Sequence, residues 1–359
     1  MKIGIIGLQN SGKTTIFNAL TGLSAETASF STQKIEPNLG LVDVPDERID
    51  NLTKMYEPKK TINAIIEYID FVGLTSSTGN SDSFSGEAMS KIKNTDAIAL
   101  VVRNFDDEVI NQTLGEPQPL KDIDSIISEM IISDLIIAEK RLDKIAISKK
   151  RGIKDSAMVI EEKTLIKLIE HLNNEKPIFE FQLADEEKKS IRGFQFISQK
   201  PLMIILNSDE SNFGENTELI QEIEKKHQVI EFAGNFEMEL SQLDAEEALE
   251  FMEDMNIKQS ARDRLTSFSY KLLGYISFFT VGKDEVRAWT ITSGNNAVEA
   301  AGKIHSDLAR GFIRAECFSY NDLISCGSEK GIREKGLFRL EGKNYIVQDG
   351  DILNIRFSV

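Results

Sequence analysis

The sequence predicts an α/β protein: a parallel-sheet domain interrupted by an antiparallel helical hairpin and followed by a small α+β module. Three observations predict it. Over residues 1 to about 120, short apolar runs alternate with helix-like stretches, the pattern of parallel strands joined by crossover helices. From Lys121 the apolar residues change to helical spacing. From Ile276 short β-rich runs are separated by glycines.

Taken in order, Ile3–Ile6 reads as a buried strand and Thr14–Leu20 as a helix, and Ala64–Ile69 and Ala97–Val102 read as further strands. Ile123, Ile126, Ile127, Met130 and Ile131 begin a long helix. The basic tip Lys149-Lys150-Arg151-Gly152 turns the chain into a second helix through Leu165, Leu168 and Leu172. Two helices joined by a short tip make an antiparallel hairpin. Pro201–Leu206 is a continuous apolar run of the buried parallel type, so the sheet resumes and the hairpin is an insertion. Residues Ala245–Tyr275 read as helical. Beyond them lie Phe278–Val281, Val286–Ile291, Gly336–Leu340, Tyr345–Val347 and Ile352–Phe357 as strands, with Val298–Ala309 as one helix. The boundaries that follow are 1–120 and 198–275 for the two parts of the first domain, 121–197 for the insertion and 276–359 for the last domain.

The chain of 359 residues carries 58 acidic and 42 basic side chains, a net charge of −16. Such a balance argues against non-specific nucleic-acid binding by the whole surface. Lys/Arg and Asp/Glu balance from Ser277 to the end, so the negative charge lies upstream. Two cysteines, Cys317 and Cys326, and three histidines fit a reducing compartment and make a zinc site unexpected. No run approaches the ~20 apolar residues needed to cross a bilayer, and the N-terminal apolar run is too short for a signal segment. The expectation is a cytoplasmic protein without membrane contact, its acidic surface compatible with a monomer.

Gly7-Leu8-Gln9-Asn10-Ser11-Gly12-Lys13-Thr14 matches G-x-x-x-x-G-K-[ST] after an apolar strand and at the start of a helix. The glycines let the backbone curl so that N–H groups point at phosphate oxygens, and the helix adds the positive end of its dipole. Lys13 reaches the β- and γ-phosphates, Thr14 offers its hydroxyl to Mg²⁺, and Thr15 continues the loop. Asp70-Phe71-Val72-Gly73 follows a strand; Asp70 is placed to hold Mg²⁺ and Gly73 to offer its N–H to the γ-phosphate. Leu74 stands where Ras-like proteins orient water with glutamine. Asn207-Ser208-Asp209-Glu210 follows the resumed strand where GTPases carry N-K-x-D. Glu210 is one methylene longer than the guanine-reading Asp, so ATP is expected over GTP. A competing N-x-x-D, Asn104–Asp107, comes one strand too early.

With these motifs in hand, the chain resembles the YchF/Obg-like ATPase family from end to end. Besides the P-loop, the resemblance rests on I-E-P-N-L-G-L-V-D-V-P-D at Ile35–Asp46, D-x-x-G-L at Asp70–Leu74, D-A-I-A-L-V-V-R-N-F at Asp96–Phe105 and N-x-x-E at Asn207–Glu210. Its most specific part is the tail: E-V-R-A-W-T-I at Glu285–Ile291, A-A-G-K-I-H-S-D at Ala300–Asp307, R-G-F-I-R-A-E at Arg310–Glu316 and V-Q-D-G-D at Val347–Asp351. The resemblance implies a Ras-like P-loop NTPase domain with an inserted coiled-coil hairpin and a C-terminal TGS domain of the ubiquitin-like, β-grasp kind. It implies ATP as nucleotide, Mg²⁺ as cofactor, Asn10 as a K⁺ ligand, and binding to the ribosome or RNA through the coiled coil and the TGS domain. Ala233 and Gly234 stand where the family has Ser-Ala at the nucleotide. Lys34 replaces the threonine before I-E-P-N, Leu100 replaces a histidine, and the loop Thr75–Gly86 lacks the family's basic residues.

The function expected is therefore nucleotide hydrolysis that regulates binding to a large partner. The alternatives are a nucleotide-sensing module with little turnover, which the departures at Lys34, Leu74 and Leu100 favour, and an ordinary GTPase. For RNA, the candidates are Lys149–Arg151, Arg287, Lys303, His305, Arg310 and Arg314.

Overall fold

The computed structural model describes residues 1–23, 37–71, 91–152, 155–243, 245–254 and 259–358. Its strands, in chain order, are β1 (Lys2–Ile6), β2 (Asn38–Asp43), β3 (Lys60–Ile62), β4 (Ile65–Asp70), β5 (Ala97–Asn104) and β6 (Leu202–Ser208). They continue with β7 (Gln228–Phe232), β8 (Tyr275–Thr280), β9 (Glu285–Thr292), β10 (Phe312–Ser319), β11 (Arg339–Glu341) and β12 (Asp351–Phe357). The chain divides into two compact units, Met1–Leu41 with Glu67–Arg262, and Val42–Ile66 with Asp263–Val359.

The first unit is built on a sheet of order β2-β4-β1-β5-β6-β7. β1 pairs in parallel with β4 and β5, and β6 in parallel with β5 and β7. β5 and β6 are buried almost throughout, which is why they read as unbroken apolar runs: a strand covered on both faces has no polar side. Parallel pairing brings the carboxyl ends of β1, β4 and β6 to one edge, where α/β sheets place their ligands.

Between β5 and β6 the chain makes the expected helical excursion. The helix Pro119–Lys150 has Pro at its first position, where a missing N–H costs nothing, and is roughly 48 Å long at 1.5 Å per residue. After the tip, Asp155 caps the helix Ser156–Asn173 by accepting from Ala157 N at 3.0 Å. The two helices pack against each other: Arg141 is bidentate to Glu161 at 2.6 and 2.8 Å, and Lys149 pairs with Glu162. At the root, Asp134 is fully buried and accepts from Ile197 N at 3.0 Å and from Ser198 N and Oγ, each at 2.7 Å. This carboxylate fastens the long helix to the segment that leads into β6. Burial pushes its pKa up to about 6 in spite of these donors.

The second unit carries a mixed sheet of order β11-β10-β12-β8-β9-β3. Its core is filled by Phe278, Ile291, Ala300, Phe312 and Leu353. Two expectations need correction here, and one strand was not anticipated. Residues 42–66, expected within the first domain, group with the C-terminal unit, because β3 pairs in parallel with β9 from Lys60↔Glu285 to Ile62↔Arg287; so short a strand leaves no periodic signal. β10 lies between β11 and β12, but its exposed Ile313 and Arg314 and a register shift after Phe312 break the alternation that marks a strand. The single helix expected over Val298–Ala309 is two, Ala297–Ile304 and Ser306–Arg310, since His305 is extended (φ −164°, ψ 144°) and its Nδ1 accepts from Asp307 N at 3.2 Å. Among the described residues no helix is long and apolar enough to cross a membrane.

Candidate nucleotide site

The loop from β1 to the helix Lys13–Thr21 has the conformation its glycines predict. Gly12 is left-handed (φ 89°), and a Cβ there would lie 2.1 Å from Asn207 Nδ2. A Cβ on Gly7 would lie 2.3 Å from the carbonyl oxygen of Val101. Either substitution therefore pushes the loop off its neighbours. Asn10 is also left-handed (φ 59°), a conformation asparagine tolerates better than most residues. Lys13 arches back over the loop, its Nζ donating to Gly7 O at 3.0 Å and Leu8 O at 2.7 Å. Burial lowers its pKa to about 8, opposed by the nearby charge of Asp70.

Thr14 and Asp70, distant in sequence, meet: Thr14 Oγ1 donates to Asp70 Oδ2 at 2.9 Å. Asn38 Nδ2 donates to the same oxygen at 3.4 Å. Asp70 is fully buried, and burial raises its pKa against the opposing effects of Thr14, Lys13 and Asn38. Its other oxygen, Oδ1, is buried without a hydrogen-bond partner among the described residues. A buried carboxylate oxygen left unpaired is costly, and a carboxylate beside a hydroxyl is the hard-oxygen donor set that Mg²⁺ takes. The residues present fit that ion. Asn38 was given no role by sequence reasoning; its place in the I-E-P-N stretch was the available signal.

At the carboxyl end of β6, Asn207 is a strut. Its Nδ2 donates to Ser11 O at 3.0 Å and its Oδ1 accepts from Gly234 N at 3.0 Å. It thus joins the P-loop to the loop after β7. A Cβ on Gly234 would lie 2.5 Å from Asn207 Oδ1, so glycine at this position permits the contact. Ala233, beside it, is buried. Ser208, expected among the nucleotide-binding residues, uses its side chain within the sheet: it donates to Glu231 Oε1 at 2.6 Å and accepts from Asn104 Nδ2 at 2.9 Å. Glu210 is exposed in a short 3₁₀ turn that begins after Asp209. The competing Asn104–Asp107 stretch has structural tasks, Asn104 on Ser208 and Asp107 capping the next helix through Ile110 N at 2.9 Å. Gly73, Leu74, Lys34 and the loop Thr75–Gly86 lie outside the described residues.

Known proteins match the chain over nearly its whole length. The ribosome-binding ATPase YchF of Bacillus subtilis is 39% identical over 363 residues, covering 99% of each chain. That of Buchnera aphidicola is 41% identical over 361 residues, covering 100% of this chain and 99% of the relative. The chain belongs to the YchF family. The solved structure of the Schizosaccharomyces pombe YchF GTPase matches with a TM-score of 0.83 and 31% identity, covering 99% of this chain and 97% of that one. Residues 2–141 match a family model described as "50S ribosome-binding GTPase". Residues 275–358 match the C-terminal YchF model, described as "Protein of unknown function (DUF933)".

Several basic residues singled out in the sequence are engaged locally. Lys149 pairs with Glu162 and Arg310 with Asp307. The Arg287 guanidinium lies 4.0 Å from the centre of the Trp289 ring, and His305 caps a helix. Lys150, Arg151, Lys303 and Arg314 are exposed. Beside the P-loop is a cavity of about 270 Å³ lined by Leu8, Ser11, Leu100, Val102, Ile126 and Glu129 among others. Ser11 Oγ is buried there with no hydrogen-bond partner among the described residues.

Proposed function

We propose that this chain is a Mg²⁺-dependent P-loop ATPase, preferring ATP to GTP, whose nucleotide state regulates its binding to the ribosome. The observation that carries the reading is the convergence of Lys13, Thr14 and Asp70 at the P-loop, with one Asp70 oxygen left unpartnered among the described residues. The backbone N–H groups of Gly7–Thr14 and the Lys13 ammonium hold the phosphates, and Thr15 extends the first turn behind them. Thr14 and Asp70 hold Mg²⁺, which when bound neutralises phosphate charge. Gly73 contacts the γ-phosphate and Asn10 serves K⁺. Leu74 can neither donate nor accept a hydrogen bond, so rate enhancement rests on fixed positive charge around the phosphates and on a group brought by the partner. Asn207 holds the P-loop to the Ala233–Gly234 loop, and Glu210 reads the base. The names of the bacterial relatives support both the ATPase reading and the ribosome as partner. In this reading the helical hairpin is a coiled coil and the C-terminal unit a TGS domain. Both contact ribosomal RNA, through Lys150, Arg151, Lys303 and Arg314, and the protein acts as a cytoplasmic monomer.

Calorimetric titration of Mg·ATP and Mg·GTP in potassium buffer tests it. Mg·ATP is expected to bind at least ~10-fold tighter, about 1.4 kcal/mol, and Lys13→Ala to abolish binding of both. Unchanged affinity in Lys13→Ala sinks the assignment, and tighter GTP binding returns the chain to the GTPases. Leu74 favours a second reading, a nucleotide sensor with little turnover. Steady-state phosphate release with and without ribosomes separates the two: turnover in neither condition selects the sensor.

A further inference from the structure

The loop that carries Glu210 is held by a carboxylate to which sequence reasoning gave no role. Glu231 sits on β7, in register with Leu206 of β6, and both its oxygens are engaged by that loop. Oε1 accepts from Ser208 Oγ and from Asn216 Nδ2, each at 2.6 Å. Oε2 accepts from the backbone N–H of Gly214 at 3.1 Å. Asn216 closes the loop on itself by donating also to Asn212 O at 2.8 Å. Ser208 is held from the other side by Asn104 on β5 at 2.9 Å. Asp209 fixes the turn between these anchors by accepting from Ser211 N at 3.0 Å and Ser211 Oγ at 2.8 Å.

The anchors have distinct targets. Asn207 braces the P-loop, through Ser11 O, and so bears on the phosphates. None of the hydrogen bonds of Glu231 described above reaches the P-loop; they end on the residues flanking Glu210, at Ser208, Gly214 and Asn216. Hydrogen bonds to a charged acceptor are among the stronger ones, and three of them converge on one side chain. An exposed Glu210 in an unbraced loop would sample many positions, and ordering it on binding would cost affinity and blur selectivity.

We infer that Glu231 is a positioning residue for base recognition: it holds the 208–216 loop so that Glu210 meets the purine ring, and it acts on the base without acting on the phosphates. This rests on the reading of Asn207–Glu210 as the base-reading loop. The ligand class at stake is the purine nucleoside triphosphate as distinct from a bare polyphosphate.

The test uses the full chain and three probes, Mg·ATP, Mg·GTP and Mg·tripolyphosphate, titrated against wild type and Glu231→Ala. The expected result is an ATP affinity lowered about tenfold, an ATP-to-GTP preference reduced towards unity, and a tripolyphosphate affinity changed less than about twofold. A parallel loss for all three probes makes Glu231 a general fold residue and overturns the inference. So does an unchanged preference. If the Ala variant does not fold, Asn216→Ala removes one arm of the clamp and is expected to shift the preference in the same direction by a smaller factor; no shift overturns the inference as well. Wild type separates this from the reading beneath it. A wild type that prefers GTP defeats the ATP assignment, while collapse of that preference in Glu231→Ala still upholds the clamp.

Discussion

Two fully buried carboxylates, Asp70 beside the P-loop and Asp134 at the root of the helical hairpin, share the same elementary problem and solve it differently. Burial raises the pKa of both. Asp134 meets three protein donors, spread over both of its oxygens. Among the described residues Asp70 meets two, both on Oδ2, and leaves Oδ1 without a partner. A carboxylate whose acceptors are filled from within the chain is a fastener. One that remains short of donors at the mouth of a phosphate-binding loop is poised for a cation. The contrast separates structure from function without reference to residue type, which is the same in both.

The sharpest way to break the contrast is to remove the fastener. Asp134→Ala strands Ile197 N, Ser198 N and Ser198 Oγ in a buried site and is expected to cost about 3 kcal/mol at pH 5, with nucleotide affinity unchanged. The pH dependence has a definite sign. The folded pKa of about 6 lies above the ordinary 3.8, so the folded state binds this proton more tightly. The stability it contributes is full below about 4 and is lost as the pH rises through about 6. The deficit of the Ala variant should therefore narrow between pH 5 and pH 7.5, read as the difference in urea midpoints. A deficit that widens over that range would show that the carboxylate is held ionised.

The same contrast explains what could be read from the chain in advance. The P-loop, the Asp70 strand and the buried strands β5 and β6 were legible because each depends on local order: a glycine spacing, or an apolar run with no polar side. The hairpin was legible from helical spacing. What escaped depends on partners remote in sequence. Nothing near Lys60–Ile62 announces that it pairs with Glu285–Arg287. Asp134 and Glu231 look like surface charges in a helix and a strand until the backbone N–H groups they accept from are known. The side-chain partners of Ser208 were hidden for the same reason, since they are Asn104 and Glu231 on neighbouring strands. β10 escaped because exposed Ile313 and Arg314 interrupt its alternation.

Asp70→Asn should give the opposite outcome to Asp134→Ala. The amide keeps an acceptor for Thr14 and removes a buried charge, so stability is expected to stay level or rise by about 1 kcal/mol, a gain of the kind that active-site substitutions give at the expense of function. Nucleotide affinity in Mg²⁺ should fall, while affinity measured in EDTA stays close to that of wild type. Thermal melts and paired titrations decide it. A loss of stability as large as that of Asp134→Ala would make Asp70 a second fastener and remove its claim to the cation.

The smallest expected effect concerns Ser11, whose hydroxyl presents the same problem without a charge. Its Oγ is buried and unpartnered among the described residues, and it lines the cavity beside the P-loop. If that hydroxyl is simply unsatisfied, Ser11→Val exchanges it for methyls with room to fit, and stability should rise by about 1 kcal/mol. In a domain of this size that is roughly 2–4 °C in melting temperature. A fall instead would mean that water in the cavity satisfies the hydroxyl and that valine displaces it. Ser11 would then stand with Asp134 as a satisfied group, and Asp70 Oδ1 would be the one acceptor of this comparison left to meet a ligand.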